Sequence, residues 1–139
     1  MSDTIWLEVH DGRERTGGDR DHSMLLRMAG DLDALADKLG VAKLSSFYDN
    51  SALAEAYADE MGGVDMPATE SAWFEASAGR QTLEAVLRVV REDPGAVPMT
   101  ADPSRSHWPA ELLDELEACH TSLVEAERRG HRFHFLIVP

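Results

Sequence analysis

Hydrophobic positions alternate with polar ones near both ends of the chain and recur at intervals of three and four between them. From Thr4 to His10, Ile5, Leu7 and Val9 fall on one side and Trp6, Glu8 and His10 on the other, which is the period of a half-buried strand. From His131 to Val138, Phe133, Phe135 and Ile137 share one face, while His134, Leu136 and Val138 share the other. Apolar residues on both faces predict a central strand covered on both sides. The two strands are natural partners, so the sequence predicts a domain closed by pairing its ends.

Asp11 to Ser23 holds three glycines and almost no apolar side chain, and reads as an exposed loop or as the tip of a long hairpin. Leu25, Met28, Leu32, Leu35, Ala36 and Leu39 then form one helical stripe, opened by Ser23 or Asp21 as N-cap and stopped by Gly40. Gly30 inside it costs about 1 kcal/mol relative to alanine and marks where the helix would split in two. Lys43 to Tyr48 is a brief apolar stretch suited to a third, edge strand. A short helix is expected from Ala52 to Met61, and Thr69 to Phe74 is expected to start another helical turn that buries Trp73 and Phe74. Leu83, Val86, Leu87 and Val90 make an amphipathic helix of Arg80 to Arg91. Four prolines between Asp93 and Pro109 predict an irregular connection, and Pro109 suits the first turn of the longest helix. That helix carries Leu112, Leu116, Cys119 and Leu123 on its apolar stripe, with His120 at the margin, and stops at Gly130.

The order of strand, helices and strand predicts a single α+β domain over residues 1–139. A small antiparallel sheet of the terminal strands, open to a third, is packed by four to five helices. A hydrophobic content of 43% and a charged content of 28% exclude a disordered chain. A single cysteine excludes a disulfide framework and a multi-cysteine zinc site. The N-terminal stretch lacks a basic region followed by an apolar one, and no apolar run approaches the roughly 20 residues that span a bilayer, so a cytoplasmic location is expected.

Charge adds the main functional lead. The net charge is -13, and two runs without a single Lys or Arg carry all of it: seven acids between Leu44 and Gly79 and six between Ser106 and Glu127. Such a field opposes binding to nucleic acid and to anionic membranes. It attracts a basic protein partner, or simply keeps the protein soluble. The leading expectation is therefore a non-enzymatic acidic protein-binding domain. Its contacts would be Glu55, Asp59 and Glu60 on the short helix and Glu111, Asp114, Glu115 and Glu117 on the long one, with Trp108 as an apolar anchor. A homodimer whose apolar stripes are completed across a two-fold axis is a further option.

The alternative is a small enzyme, or a metal or small-molecule binder, built from His10, Asp11, Asp21 and His22 around the glycine-rich loop, with His134 brought near by strand pairing. The six histidines show no H-x-x-x-H or H-E-x-x-H spacing, so a metal is not expected. His131 and His134, three apart on a strand, point to opposite faces. Asp31 and Asp33, two apart on a helix, do not face each other and are expected on a solvated face. Cys119 and His120 diverge on their helix, and a cysteine on an apolar stripe behaves as a small hydrophobe. Gly17-Gly18 belongs to no phosphate loop, and no motif implies a cofactor.

The stretches DHSMLLR (Asp21 to Arg27), LDALADKLGVAKLSSFYD (Leu32 to Asp49), WFEASAGRQTL (Trp73 to Leu83) and RFHFLIVP at the end resemble small acidic bacterial proteins of unknown function. That resemblance implies the fold class and no site. In size and acidity the chain is loosely similar to bacterial immunity proteins, which implies a cytosolic inhibitor of a basic toxin.

Overall fold

A computed structural model describes residues 4–17, 20–49, 72–97 and 108–138, with Pro94, Trp108 and Pro109 described by their backbone alone. The expected pairing of the end strands is present. β1 (Thr4–His10) runs antiparallel to β5 (Arg132–Val138) in full register, from Thr4 opposite Val138 to His10 opposite Arg132. Cross-strand partners share a face, so Ile5, Leu7, Phe133 and Phe135 line one side, and Trp6, Glu8, His10, Arg132, His134 and Leu136 the other.

The sheet is larger than expected and is mixed. The glycine-rich stretch is a hairpin tip, whose return strand β2 (Arg15–Gly17) pairs antiparallel with β1. The apolar stretch before Tyr48 forms a single 3-10 turn at Leu44–Phe47, and strand β3 (Tyr48–Asp49) follows it, parallel to β5. Trp73 and Phe74 do not open a helical turn: Phe74–Glu75 is strand β4, antiparallel to the start of β5, with Phe74 opposite Phe133. Propensity favoured neither outcome strongly, and the unpaired edge of β5 decides it by offering backbone partners to both short segments. The strand order is β2-β1-β5-β3, with β4 beside the same edge of β5 as β3.

Four α-helices are described. The first apolar stripe is split, as its glycine suggested, but at Met28: α1 is Ser23–Arg27 and α2 is Ala29–Leu39. Neither Ser23 nor Asp21 caps α1. His22 holds the N-cap position without a side-chain cap, and the Glu115 carboxylate, far along the chain, accepts the N–H groups of Met24 at 3.2 Å and Leu25 at 3.1 Å. α3 (Ala76–Glu92) begins four residues before the expected Arg80, because Ala76, Gly79 and Thr82 also face inward. α4 (Trp108–Arg129) buries Leu112, Leu116, Cys119, Leu123 and Ala126, spaced by four and three. α3 and α4 run antiparallel: Arg91, late in α3, pairs with Glu117, early in α4, at 2.9 Å, and Arg80, early in α3, pairs with Glu127, late in α4.

This helical hairpin lies on the Phe133 side of the sheet. A Cβ on Gly79 would overlap the Phe133 ring, so the absence of a side chain there lets α3 approach β5. Asp31, expected on a solvated face, is buried, and Asp33 accepts the Ser45 N–H at 3.2 Å. Among the described residues no helix is long and apolar enough to cross a membrane, and the exposed large hydrophobics are Leu39 and Val124 on separate helices. The helix expected from Ala52 to Met61 lies outside the described residues.

Candidate functional site

The sheet face turned away from α3 and α4 holds a buried charged cluster. His134 is fully buried, and Glu8 and Asp49 beside it are nearly so. Strand alternation places them together: Glu8 is opposite His134 in the β1–β5 ladder, and Asp49 pairs with Leu136, which shares the His134 face. His134 Nε2 meets Glu8 Oε1 at 2.7 Å, and Nδ1 lies 2.7 Å from the Ala72 carbonyl oxygen and 3.3 Å from Asp49 Oδ2. A carbonyl oxygen only accepts, so Nδ1 carries a hydrogen, while Nε2 shares a hydrogen bond with the Glu8 carboxyl. Arg15 Nη1 lies 3.4 Å from Glu8 Oε1 at the rim.

Trp73 closes this cluster. Its ring stacks on His134 with centroids 3.8 Å apart and planes 12° from parallel, and its neighbours include His10 at 4.8 Å and the Arg15 guanidinium at 5.6 Å. Beyond it lies a cleft of about 380 Å³ lined by His10, Asp11, Gly12, Trp73, Gly130 and Arg132. The lip is made by two turns, Asp11–Gly12 after β1 and Gly130 before β5, which the ladder brings side by side. Both glycines have positive φ, 102° and 72°. Asp11 Oδ1 accepts the N–H groups of Arg13 at 2.8 Å and Glu14 at 2.9 Å, which hold its carboxyl below the usual carboxylate range. His10 Nδ1 accepts the Gly12 N–H at 3.0 Å, so in the neutral ring the hydrogen sits on Nε2.

The other members of the expected histidine site are elsewhere. His22 lines a different cleft, of about 240 Å³, with Leu7, Val9 and Ala118, on the opposite side of the sheet from His10. Asp21 accepts the Trp6 Nε1–H at 2.7 Å. His10, Asp21, His22 and His134 therefore do not converge, and among the described residues no three His, Cys, Asp or Glu side chains are arranged to hold a metal ion. Cys119 does have a histidine neighbour, but it is His22, with Nε2 3.6 Å from Sγ, and not His120. Burial, with the Glu115 carboxylate nearby, pushes the thiol up to about 12, so it stays protonated and non-nucleophilic near neutrality.

Most acids expected to face a partner on α4 are engaged within the molecule. Glu115 is buried as the cap of α1, and burial raises its carboxyl against the pull of the two N–H groups. Asp114 pairs with Arg20 and Glu117 with Arg91. Glu111 is exposed in the first turn of the helix. Glu55, Asp59 and Glu60, together with the side chain of Trp108, lie outside the described residues.

Glu8, Asp49, Trp73 and Arg132 are not assigned to a site by the sequence, which places Trp73 in the core. One signal was available: a glutamate in the middle of a strand that pairs with a strand covered on both faces needs a buried partner, and His134 is the polar residue on the facing strand. Compared with known proteins, the chain matches no family model, no curated protein and no solved structure.

Proposed function

We propose that the protein is a non-enzymatic binding domain for a small ligand, which it takes in the cleft walled by Trp73. The observation that carries this is the Glu8–His134–Asp49 cluster directly behind that wall. Removing three ionisable groups from water is costly, and a hydrophobic substitute of similar volume would often hold the sheet at least as well. Departures from the economical core solution concentrate at functional sites. Here the cluster fixes the position of Trp73 and Ala72. The cleft volume is at the lower end of the roughly 300–1,000 Å³ of small-molecule pockets. Binding is favoured over catalysis because His134 sits behind Trp73 and Cys119 stays protonated.

The test is an NMR titration of the protein with a panel of small metabolites. Amide shifts centred on His10, Gly12, Gly130 and Arg132, lost in Trp73→Ala, are expected. Ligands that shift amides only elsewhere on the surface would overturn the assignment.

One further observation favours a second reading, an acidic surface for a basic protein partner in the manner of an immunity-type inhibitor. Residues 50–71 carry five acids and no base, whereas Glu115 is buried and Asp114 and Glu117 each already face an arginine. Reversing Glu55, Asp59 and Glu60 to lysine should abolish salt-sensitive capture of such a partner, while reversing Asp114 and Glu117 should leave it intact. The opposite ranking would remove this reading.

A further inference from the structure

The chemistry of the cleft lining is specific enough to name a ligand class. At one side stands Arg132, whose Nη2 is 3.4 Å from Glu75 Oε1; both side chains are largely exposed, so this pair is weak and leaves most guanidinium donors available. Beside it, paired with Arg132 across the ladder, is His10, whose Nδ1 is occupied by the Gly12 N–H and whose remaining hydrogen is on Nε2. These are two donors suited to a carboxylate, and an arginine fork receives one in bidentate fashion. The next residue, Asp11, supplies a fixed negative charge. Its Oδ1 is committed to two backbone N–H groups, and among the described residues Oδ2 has no partner. Trp73 gives the cleft its apolar wall, and the two glycines put no side chain at the lip.

We propose that the cleft takes a small zwitterion, a free α-amino acid, with its carboxylate on Arg132 and the His10 Nε2–H, its ammonium on Asp11, and its side chain along Trp73. This rests on the ligand-binding reading above and narrows it. A ligand with a net negative charge meets Asp11, Glu75 and the field of a protein of net charge -13. A cation without a carboxylate leaves Arg132 and His10 unsatisfied. A zwitterion is neutral overall and meets both groups.

Three probes of common shape separate the terms: L-phenylalanine, 3-phenylpropanoate without the ammonium, and 2-phenylethylamine without the carboxylate. Binding is read by calorimetry and by Trp73 fluorescence in a Trp6→Phe, Trp108→Phe background. L-phenylalanine should bind about tenfold more tightly than either analogue, one charge-assisted contact being worth that much. Asp11→Asn, whose amide oxygen still accepts the turn N–H groups, should lose that margin by weakening L-phenylalanine, while 3-phenylpropanoate, relieved of a repelling charge, binds no more weakly than before. Glu75→Gln should tighten both carboxylate-bearing probes by releasing Arg132. Equal affinity for all three probes, or for L-phenylalanine and 3-phenylpropanoate, overturns the zwitterion. So does failure of all three to bind while other metabolites shift the cleft amides, and in that case the ligand-binding reading stands. If no metabolite shifts those amides either, both fall.

Discussion

Glu8 and His134 stand opposite each other on β1 and β5, and their side chains meet at 2.7 Å inside the protein. The contact joins two residues at opposite ends of the sequence, and Asp49 completes it from β3. Its main consequence is interdependence, because none of the three can be removed without leaving a buried polar group short of a partner. His134→Leu should lower stability by about 1–3 kcal/mol for each buried polar partner it leaves unsatisfied. Adding Glu8→Gln and Asp49→Asn to that variant should recover much of the loss. Urea denaturation measures both, and a single variant as stable as the parent would show that the three groups do not depend on one another.

Cys119 should be inert in the folded state. Its thiol is fully buried and held high by burial, so a thiol reagent at pH 8 should react only as fast as the protein opens. Stoichiometric labelling within seconds in native buffer, with the same protein protected in no condition, would contradict the described packing against His22.

Glu115 should give a recognisable pH signature. Burial raises its folded pKa above the unfolded value, so between the two the native state holds more protons than the unfolded chain. Its contribution is full below the ordinary carboxylate range and declines as pH rises through the elevated folded value. The stability of the parent minus that of Glu115→Gln should therefore fall with rising pH across this window. Equilibrium melts at a series of pH values would detect it, and a difference that grows with pH would be the wrong sign.

Gly79→Ala tests the approach of α3 to the sheet. Alanine adds roughly 1 kcal/mol of intrinsic helix stability over glycine, yet its methyl group would overlap the Phe133 ring. Overpacking of this kind costs about 1–3 kcal/mol, so the variant should be net destabilised. In a Phe133→Leu background the same change should become stabilising. A double-mutant cycle by thermal melting gives the coupling, and additive effects would place Phe133 elsewhere.

Periodicity made the long elements legible. The alternation of β1 and β5, the stripe of α4 and that of α3 are each long enough for burial to dominate, and their residues are where the pattern puts them. The two-residue strands were not legible, because Tyr48–Asp49 and Phe74–Glu75 have no period of their own and acquire a conformation from the edge of β5. The site failed to show for a related reason. Glu8 and Asp49 look like solvated acids until strand register brings them to His134, and Trp73 looks like core until that histidine gives it a face to stack on. On α4, charge counting does not reveal that Glu115 serves as a distant cap or that Asp114 and Glu117 meet Arg20 and Arg91.

The position of β5 in the sheet also bears on how the chain is made. It is the final described element, yet β1, β3 and β4 all pair with it directly, and β2 is joined to it through β1. During synthesis the helices can form early, but Ile5, Leu7 and Phe47 have no strand to close over them until Phe133 and Phe135 leave the ribosome. β1 can pair early with β2, but its full-length ladder must wait for β5, which makes folding of this sheet dependent on long-range closure and correspondingly slow. A β1–β2 hairpin whose other edge still lacks β5 is the stage at which this protein is most open to pairing with a neighbour instead of with itself.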